Sequence, residues 1–276
     1  MKITLHYLKR IATEPIGLLI FVLFPVGLLF LNNTIIMNML GDTYDLMATI
    51  GGRQYNFAAT SSTMMIMMMF QLMGGSFIID YTFIDLKSNR RWRLLASPHS
   101  KNKFLFSALA ACLIVSIISG LLVIAVGYFL FDAYIGNIGM ILTALVLMAV
   151  LGQLLGLLIA LLCNKKGTCE GVLMGVSWGI FILSGFFPNT NDLPLVGTFF
   201  STRGTPFSAG VRAIERSGMD YNFYGRVYEE CGVIYERVFA LNPYDMNDAL
   251  ISLGILAGFV LAMAFATVWV GRRKPL

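Results

Sequence analysis

Long apolar runs separated by short links rich in charge, Asn or Pro set the rhythm of this chain. The first run, residues 16–36, holds no charged residue and carries Pro25 near its middle. A membrane helix tolerates such a kink because neighbouring helices satisfy the freed carbonyl. Further runs cover 57–79, 104–131, 138–163, 171–187 and 249–270. A run of roughly 18 apolar residues reads as a membrane-crossing helix. The pattern therefore predicts an all-α integral membrane fold of six spans, one transmembrane domain over residues 1–276. The fifth run is the shortest, and Gly175, Gly179 and Gly185 leave room in it for a break or a re-entrant turn. Lys2, Lys9 and Arg10 precede the first run as they would in a signal peptide, but the run is too long for one and no small-x-small cleavage site follows Leu31.

Charge gives the six runs a direction. Lys2, Lys9 and Arg10, the six Lys and Arg of 87–103, Lys165 and Lys166, and Arg272, Arg273 and Lys274 all fall on one side. Only Arg53, Arg203, Arg212, Arg216, Arg226 and Arg237 fall on the other. By the positive-inside rule both termini are cytoplasmic in a multi-pass membrane protein. Composition agrees: 57% hydrophobic, 13% charged and a mean hydropathy of +0.76 exclude a soluble enzyme. The net charge of +5 does not signal nucleic acid, because the basic residues flank apolar runs instead of forming one solvated patch. Four cysteines show neither CxxC pairs nor disulfide density.

Three links hold more than a connection needs. In 1–15, Ile3, Tyr7 and Ile11 recur every fourth residue with Lys2, His6, Lys9 and Arg10 between them, the pattern of a short interfacial helix that Pro15 ends; an orienting basic tail reads equally well. In 85–103, the charged string from Asp85 through Arg90, Arg91 and Arg93 encloses Trp92, Leu94 and Leu95 before Ser97-Pro98 stops any helix. That apolar group is either a docking knob for a cytosolic partner or an aromatic-belt anchor with its arginines on lipid headgroups. The external segment 188–248 is too long to be structureless. Its first part reads as broken helices, and its second as one helix with Tyr221, Tyr224, Tyr228, Cys231 and Tyr235 on a single stripe, used for packing more readily than for substrate contact.

Tests for chemistry come back negative. Residues 164–168, NKKGT, lack the glycine spacing of a phosphate loop, and two histidines, His6 and His99, form no metal or triad pattern. No catalytic, cofactor-binding or metal residue is expected, and the chain is not expected to be an enzyme. The second run is rich in methionine, a soft and adaptable surface that also serves as plain filler. Met64, Met68 and Gln71 there, with Phe181 and Ser184 of the fifth run, are the candidates for a substrate path. A Gly152-to-Gly156 pattern allows close helix packing without naming its partner.

The topology, the interfacial helix and the basic apolar link together resemble a type-2 ABC exporter permease. Asp85 followed by Arg91-Trp92-Arg93-Leu94-Leu95-Ala96-Ser97-Pro98 resembles that family's coupling-helix motif, Ser184 to Pro188 with Leu193-Pro194 its exit from span five, and Thr205-Pro206 to Arg212 its second external helical element. Asp85 stands where glutamate is usual, Ser88-Asn89 replace Gly-Thr, and 216–241 is an unusual insertion. The resemblance implies two cytosolic ATPase subunits that bind ATP and Mg and dock on 85–98, and a second permease, identical or sibling. It also implies ATP-driven alternating access exporting an amphipathic or hydrophobic cargo such as a peptide, antibiotic or lipid-like molecule, as in drug or antimicrobial-peptide resistance. The competing reading is a membrane sensor that binds a ligand through 188–248 and moves nothing.

Overall fold

Packing turns the run pattern into a helical bundle in the computed structural model, which describes residues 2–13, 15–40, 47–50, 53–88, 101–184, 200–218, 227–230, 233–236 and 245–273. α1 (Lys2–Thr13) is the amphipathic helix its spacing predicts, with Tyr7 and Ile11 buried on one face and Leu5 and Lys9 exposed on the other. Pro15 then opens α2 (Pro15–Leu40), in the first turn where its missing N–H would be unpaired anyway. Along α2, Phe21, Pro25, Leu29 and Asn33 recur every fourth residue and are buried, while Leu19, Leu23, Phe24, Phe30 and Leu31 are exposed. One narrow stripe holds α2 to the bundle, and the remaining apolar surface faces outward, as a lipid solvent permits.

The link before the second run carries a hairpin that the apolar pattern does not mark, β1 (Met47–Ile50) paired antiparallel with β2 (Arg53–Asn56). Asn56 ends the hairpin and caps the next helix, its Oδ1 accepting from Ala59 N at 3.1 Å. The second run is a broken helix: α3 (Phe57–Met73), α4 (Gly75–Tyr81) and a π-helical turn, Thr82–Lys87. It is buried on nearly all sides, which suits a helix apolar all round. The break falls at Gly74, where α6 (Ile138–Leu162) crosses in backbone contact. A Cβ on Gly75 would collide with the Gly152 carbonyl, and one on Gly156 with the Gly75 carbonyl. The partner of the Gly152-to-Gly156 pattern is therefore this chain's own second run, held close by the absence of side chains.

α5 (Lys101–Leu130) and α6 flank the broken helix, α7 (Lys166–Leu183) touches it through a stripe of Cys169, Leu173 and Ser177, and α9 (Met246–Arg273) packs along α6. Between α7 and α9, a π-helical turn, Phe200–Gly204, leads into α8 (Pro206–Gly218), whose Phe207, Val211 and Ile214 sit in the main core among α3, α6 and α9. Among the described residues four stretches are long and apolar enough to cross a membrane: Ala59–Leu86, Lys103–Leu130, Ile138–Leu162 and Met246–Arg273; Phe21–Ile35 is apolar but shorter. The main core centres on Met67, Met68, Leu145 and Met148, and a second cluster gathers Tyr7, Ile11, Ile78, Tyr81 and Leu161 at the end of the bundle where α1 lies.

The tyrosine stripe predicted as a helix is corrected. β3 (Val227–Glu230) and β4 (Val233–Glu236) form an antiparallel hairpin with Tyr228 opposite Tyr235. Val-Tyr-Glu-Glu and Val-Ile-Tyr-Glu are rich in β-branched and aromatic residues, and only Cys231-Gly232 separates them, so local strand preference wins over the helical spacing. The two residues are therefore paired in register across a strand pair instead of lying along one helix. Tyr221, Tyr224 and Cys231 lie outside the described residues. The two hairpins also amend the all-α expectation to a helical bundle with small β elements.

Candidate functional site

At the α1 end, the second run's last turns become an anchorage. Asp85, on the π-helical turn and buried, accepts from Tyr7 Oη at 2.8 Å through Oδ2 and from Arg10 Nη1 at 3.0 Å through Oδ1. The Arg10 guanidinium also lies over the Tyr81 ring, 4.9 Å from its centroid, and Tyr7 meets that ring edge-on at 5.5 Å. Burial, then the charge of Asp85, pushes the Tyr7 phenol well above its ordinary range, so it stays a hydrogen donor at any physiological pH. The carboxylate thus has one cationic and one neutral donor, both supplied by α1.

Two further ties meet the same turns. Lys87 Nζ donates to the carbonyls of Ala160 at 2.6 Å and Cys163 at 2.5 Å, a cation on the last carbonyls of α6 where the helix dipole favours it. Lys166, the first residue of α7, reaches Asp80 Oδ1 at 2.7 Å. Residues 80–87 therefore bind α1, α6 and α7 at once, immediately before Ser88. Of the coupling candidates, Asp85 sits in this clasp; Arg90, Arg91, Trp92, Arg93, Leu94, Leu95, Ser97 and Pro98 lie outside the described residues. Sequence reading singled out Asp85 and Tyr7 but did not join them; it placed Arg10 among the polar positions of the first helix and counted Lys87 only as a topology signal.

Near the bundle's middle, polar side chains tie the broken helix to its flanks. Gln71 Nε2 donates to Ser116 O at 3.0 Å, and Gln153 Nε2 donates to Gly74 O and to Ser116 Oγ, both at 2.9 Å. Gln153 thereby serves the backbone where the helix is interrupted, as buried polar backbone requires. The substrate-path candidates do not share one surface. Gln71 is fully buried against α5, whereas the other four converge on α8. Met68 lies with its methyl against Gly210, and Met64 lines a cavity beside Glu215. Phe181 meets Phe207 edge-on at 5.3 Å, and Ser184 Oγ is 2.6 Å from Thr205 Oγ1.

α8 carries the opposite end's charges. Asp248, in α9's first turn and nearly buried, accepts from Arg212 Nε at 2.8 Å, lies 3.1 Å from Arg216 Nε and pairs with Arg203. Asp245 Oδ1 accepts from Asn247 N and Asp248 N, which fixes the start of α9 beside this cluster. Burial, then the neighbouring Arg216 and Arg203, lowers the Arg212 pKa. Burial pushes the Glu215 carboxyl up to about 7, against the pull of Arg212 and Arg216. Neither group was legible as a site: the arginines entered only the topology count, although Arg212 and Arg216 at a spacing of four do mark one helix face.

A broken, buried helix is thus clasped to the amphipathic α1 just before the basic stretch 87–103 of the sequence. Residues 42–269 match the family model described as ABC-2 family transporter protein. No curated protein matches the chain. With a match over most of its length, the chain belongs to the ABC-2 transporter permease family, membrane subunits that work with ATPase partners.

Proposed function

We propose that the chain is the permease of an ATP-driven exporter in a bacterial plasma membrane, itself not an enzyme, with ATP and Mg bound by two separate cytosolic ATPase subunits. In this reading α2 and α7 add two crossings to the four long apolar stretches, and both termini are cytoplasmic, as the Lys and Arg distribution requires. The cargo is amphipathic or hydrophobic and passes by alternating access between inward and outward states.

The observation that carries this reading is the clasp at residues 80–87. ATPases pushing on 89–98 would deliver that push through Asp85, Lys87 and Asp80 to α1, α6 and α7 together. A second permease would pack on α7: Gly167, Gly171, Gly175 and Gly179 recur every fourth residue, with open space over each among the described residues, beside the exposed Trp178. The test is the chain reconstituted in proteoliposomes with its ATPase. Replacing Arg91, Trp92 and Leu95 with Ala abolishes both docking and stimulated ATP turnover. Asp85→Asn keeps docking but cuts stimulation by roughly tenfold, the effect of weakening one charge-assisted contact. Full stimulation in the triple variant overturns the docking assignment. Docking with ATP turnover but no ATP-dependent cargo movement replaces the exporter with a sensor.

A further inference from the structure

The turn from α6 into α7 holds two cysteines, Cys163 and Cys169. Cys163 caps the C-terminal end of α6, and Cys169 falls in the first turn of α7, ahead of the apolar run that begins at residue 171. The turn folds the second back onto the first. Cys163 N donates to Ile159 O at 3.0 Å, and the Cys169 thiol reaches the same carbonyl oxygen at 3.7 Å. Sharing one acceptor brings the two residues side by side, and the Cys169 thiol also interacts directly with the Cys163 side chain. Both are free thiols, as is Cys112.

Their surroundings divide the work between them. Cys169 is fully buried, whereas Cys163 is partly exposed at the edge of an open turn in which Asn164, Lys165, Lys166, Gly167 and Thr168 are all exposed. Cys112 is buried in the second core cluster, so Cys163 is the one described cysteine with access to water. Two charges flank the pair: the Lys87 ammonium, fixed on the Cys163 carbonyl at 2.5 Å, and the Glu170 carboxylate act on Cys169 with opposite sign. A zinc ion is not the occupant these residues suit, because no third His, Cys, Asp or Glu among the described residues is placed to complete its ligands. Thiol–disulfide exchange, in contrast, needs two sulfurs only: a thiolate that solvent reaches, and a second thiol near enough to displace the first adduct.

We infer that Cys163 and Cys169 are a reversible dithiol, a modification site for low-molecular-weight disulfides that closes to a disulfide across the α6–α7 turn. The Cys163 thiolate attacks one sulfur of the incoming disulfide, forming a mixed disulfide and expelling a thiolate, which takes up the proton Cys163 gave to water. Cys169 then loses its proton, attacks the Cys163 sulfur and expels the second thiol, which carries a proton away. Two protein thiols are oxidised and one small disulfide is reduced to two thiols, so no other oxidant is required. The closed ring spans residues 163–169 and fixes the turn whose carbonyls, Ala160 and Cys163, anchor Lys87. Oxidation thus stiffens the α6 side of the clasp at residues 80–87. On the side that the Lys and Arg distribution makes cytoplasmic, the dithiol is the resting form. The site does not depend on the exporter reading, and its test uses no ATPase.

The purified full chain carries Cys231→Ser, so that Cys112, Cys163 and Cys169 are its only thiols. It is held in nanodiscs and treated with oxidised glutathione; thiols are then capped with N-ethylmaleimide in denaturant, and unreduced peptides are read by mass spectrometry. Cys163 and Cys169 appear joined to each other and lighter by two hydrogens, Cys112 carries the cap, and dithiothreitol restores both thiols. Cys169→Ser halts the reaction at a glutathione adduct on Cys163, and Cys163→Ser leaves Cys169 a thiol. The thermal midpoint rises on oxidation and returns with dithiothreitol, as a cross-link in the unfolded chain requires, and neither change occurs in Cys163→Ser.

A lasting glutathione adduct on Cys163 with Cys169 intact would show that the second sulfur does not reach the first and would overturn the inference. Two unmodified thiols after treatment would overturn it equally, as would glutathione on Cys169 in Cys163→Ser. A closed ring with an unchanged midpoint would overturn the stiffening of the clasp.

Discussion

The two ends of the bundle each hold a nearly buried carboxylate, and they balance it differently. Asp85 has one cation and one neutral phenol, both from α1, so the group is close to neutral. Asp248 has three arginines, which leaves positive charge in excess around it. The first arrangement is a fastening between two helices, able to be made or released with little change in field. The second is a hub: the loop before α8, α8 itself and α9 are all fixed by one residue. Connection to the broken helix differs too. The Asp85 end grips it with ions, while α8 meets it through apolar contacts such as Met68 on Gly210.

Removing each carboxylate tests that contrast. Asp248→Ala strands three guanidinium groups that repel one another and is expected to cost about 3 kcal/mol, the lower end for breaking a buried ion pair because the arginines keep partial access to solvent. Asp85→Ala leaves one arginine that can swing outward and one phenol, and is expected to cost about 2 kcal/mol. Thermal unfolding of the two variants in the same detergent reads the difference directly. Equal midpoints would mean that excess charge is not what distinguishes the two ends.

Between the ends lies the glycine crossing. Gly156→Leu would drive a side chain into the Gly75 backbone, where nothing can give way, and overpacking of this kind costs about 1–3 kcal/mol. Because Gly75 and Gly156 lie on the α1 side of the break at Gly74, the damage should reach the Asp85 clasp before the Asp248 hub. Cysteine accessibility measured at Lys87→Cys and at Arg212→Cys in the Gly156→Leu background checks it: the first should gain reactivity and the second should not.

How much of this was written in the sequence follows from the range of the forces involved. Four long apolar helices were legible because lipid rewards long apolar runs regardless of what they pack against, and α1 because a four-residue spacing of Ile3, Tyr7 and Ile11 is local. The Tyr7–Asp85 bond joins residues 78 positions apart, and the α8 hub joins Arg212 to Asp248 across 36. No local pattern encodes which acid meets which base. The tyrosine stripe failed for the opposite reason: two periodicities coexist in 227–236, and strand preference with a two-residue connection prevailed. Met64, Met68, Phe181 and Ser184 were chosen for their spans, yet what they share is α8, an element the run pattern left among broken helices.

The finest test of the contrast concerns protons. Glu215 has a folded pKa of about 7 against an ordinary 4.5, caused by burial and opposed by Arg212 and Arg216. Below 4.5 the carboxyl is neutral in both folded and unfolded chains, so its burial penalises nothing. Between 4.5 and 7 the unfolded chain releases the proton while the folded one keeps it, so stability falls as pH rises through this window and then levels off above it. The Asp85 end contributes no such slope from Tyr7, whose phenol remains protonated throughout. Glu215→Gln should therefore flatten the decline in thermal midpoint between pH 5 and pH 8 and make the variant the more stable protein at pH 8. A slope unchanged by Glu215→Gln would place the titrating group elsewhere, and the two ends of the bundle would then differ in ion pairing alone.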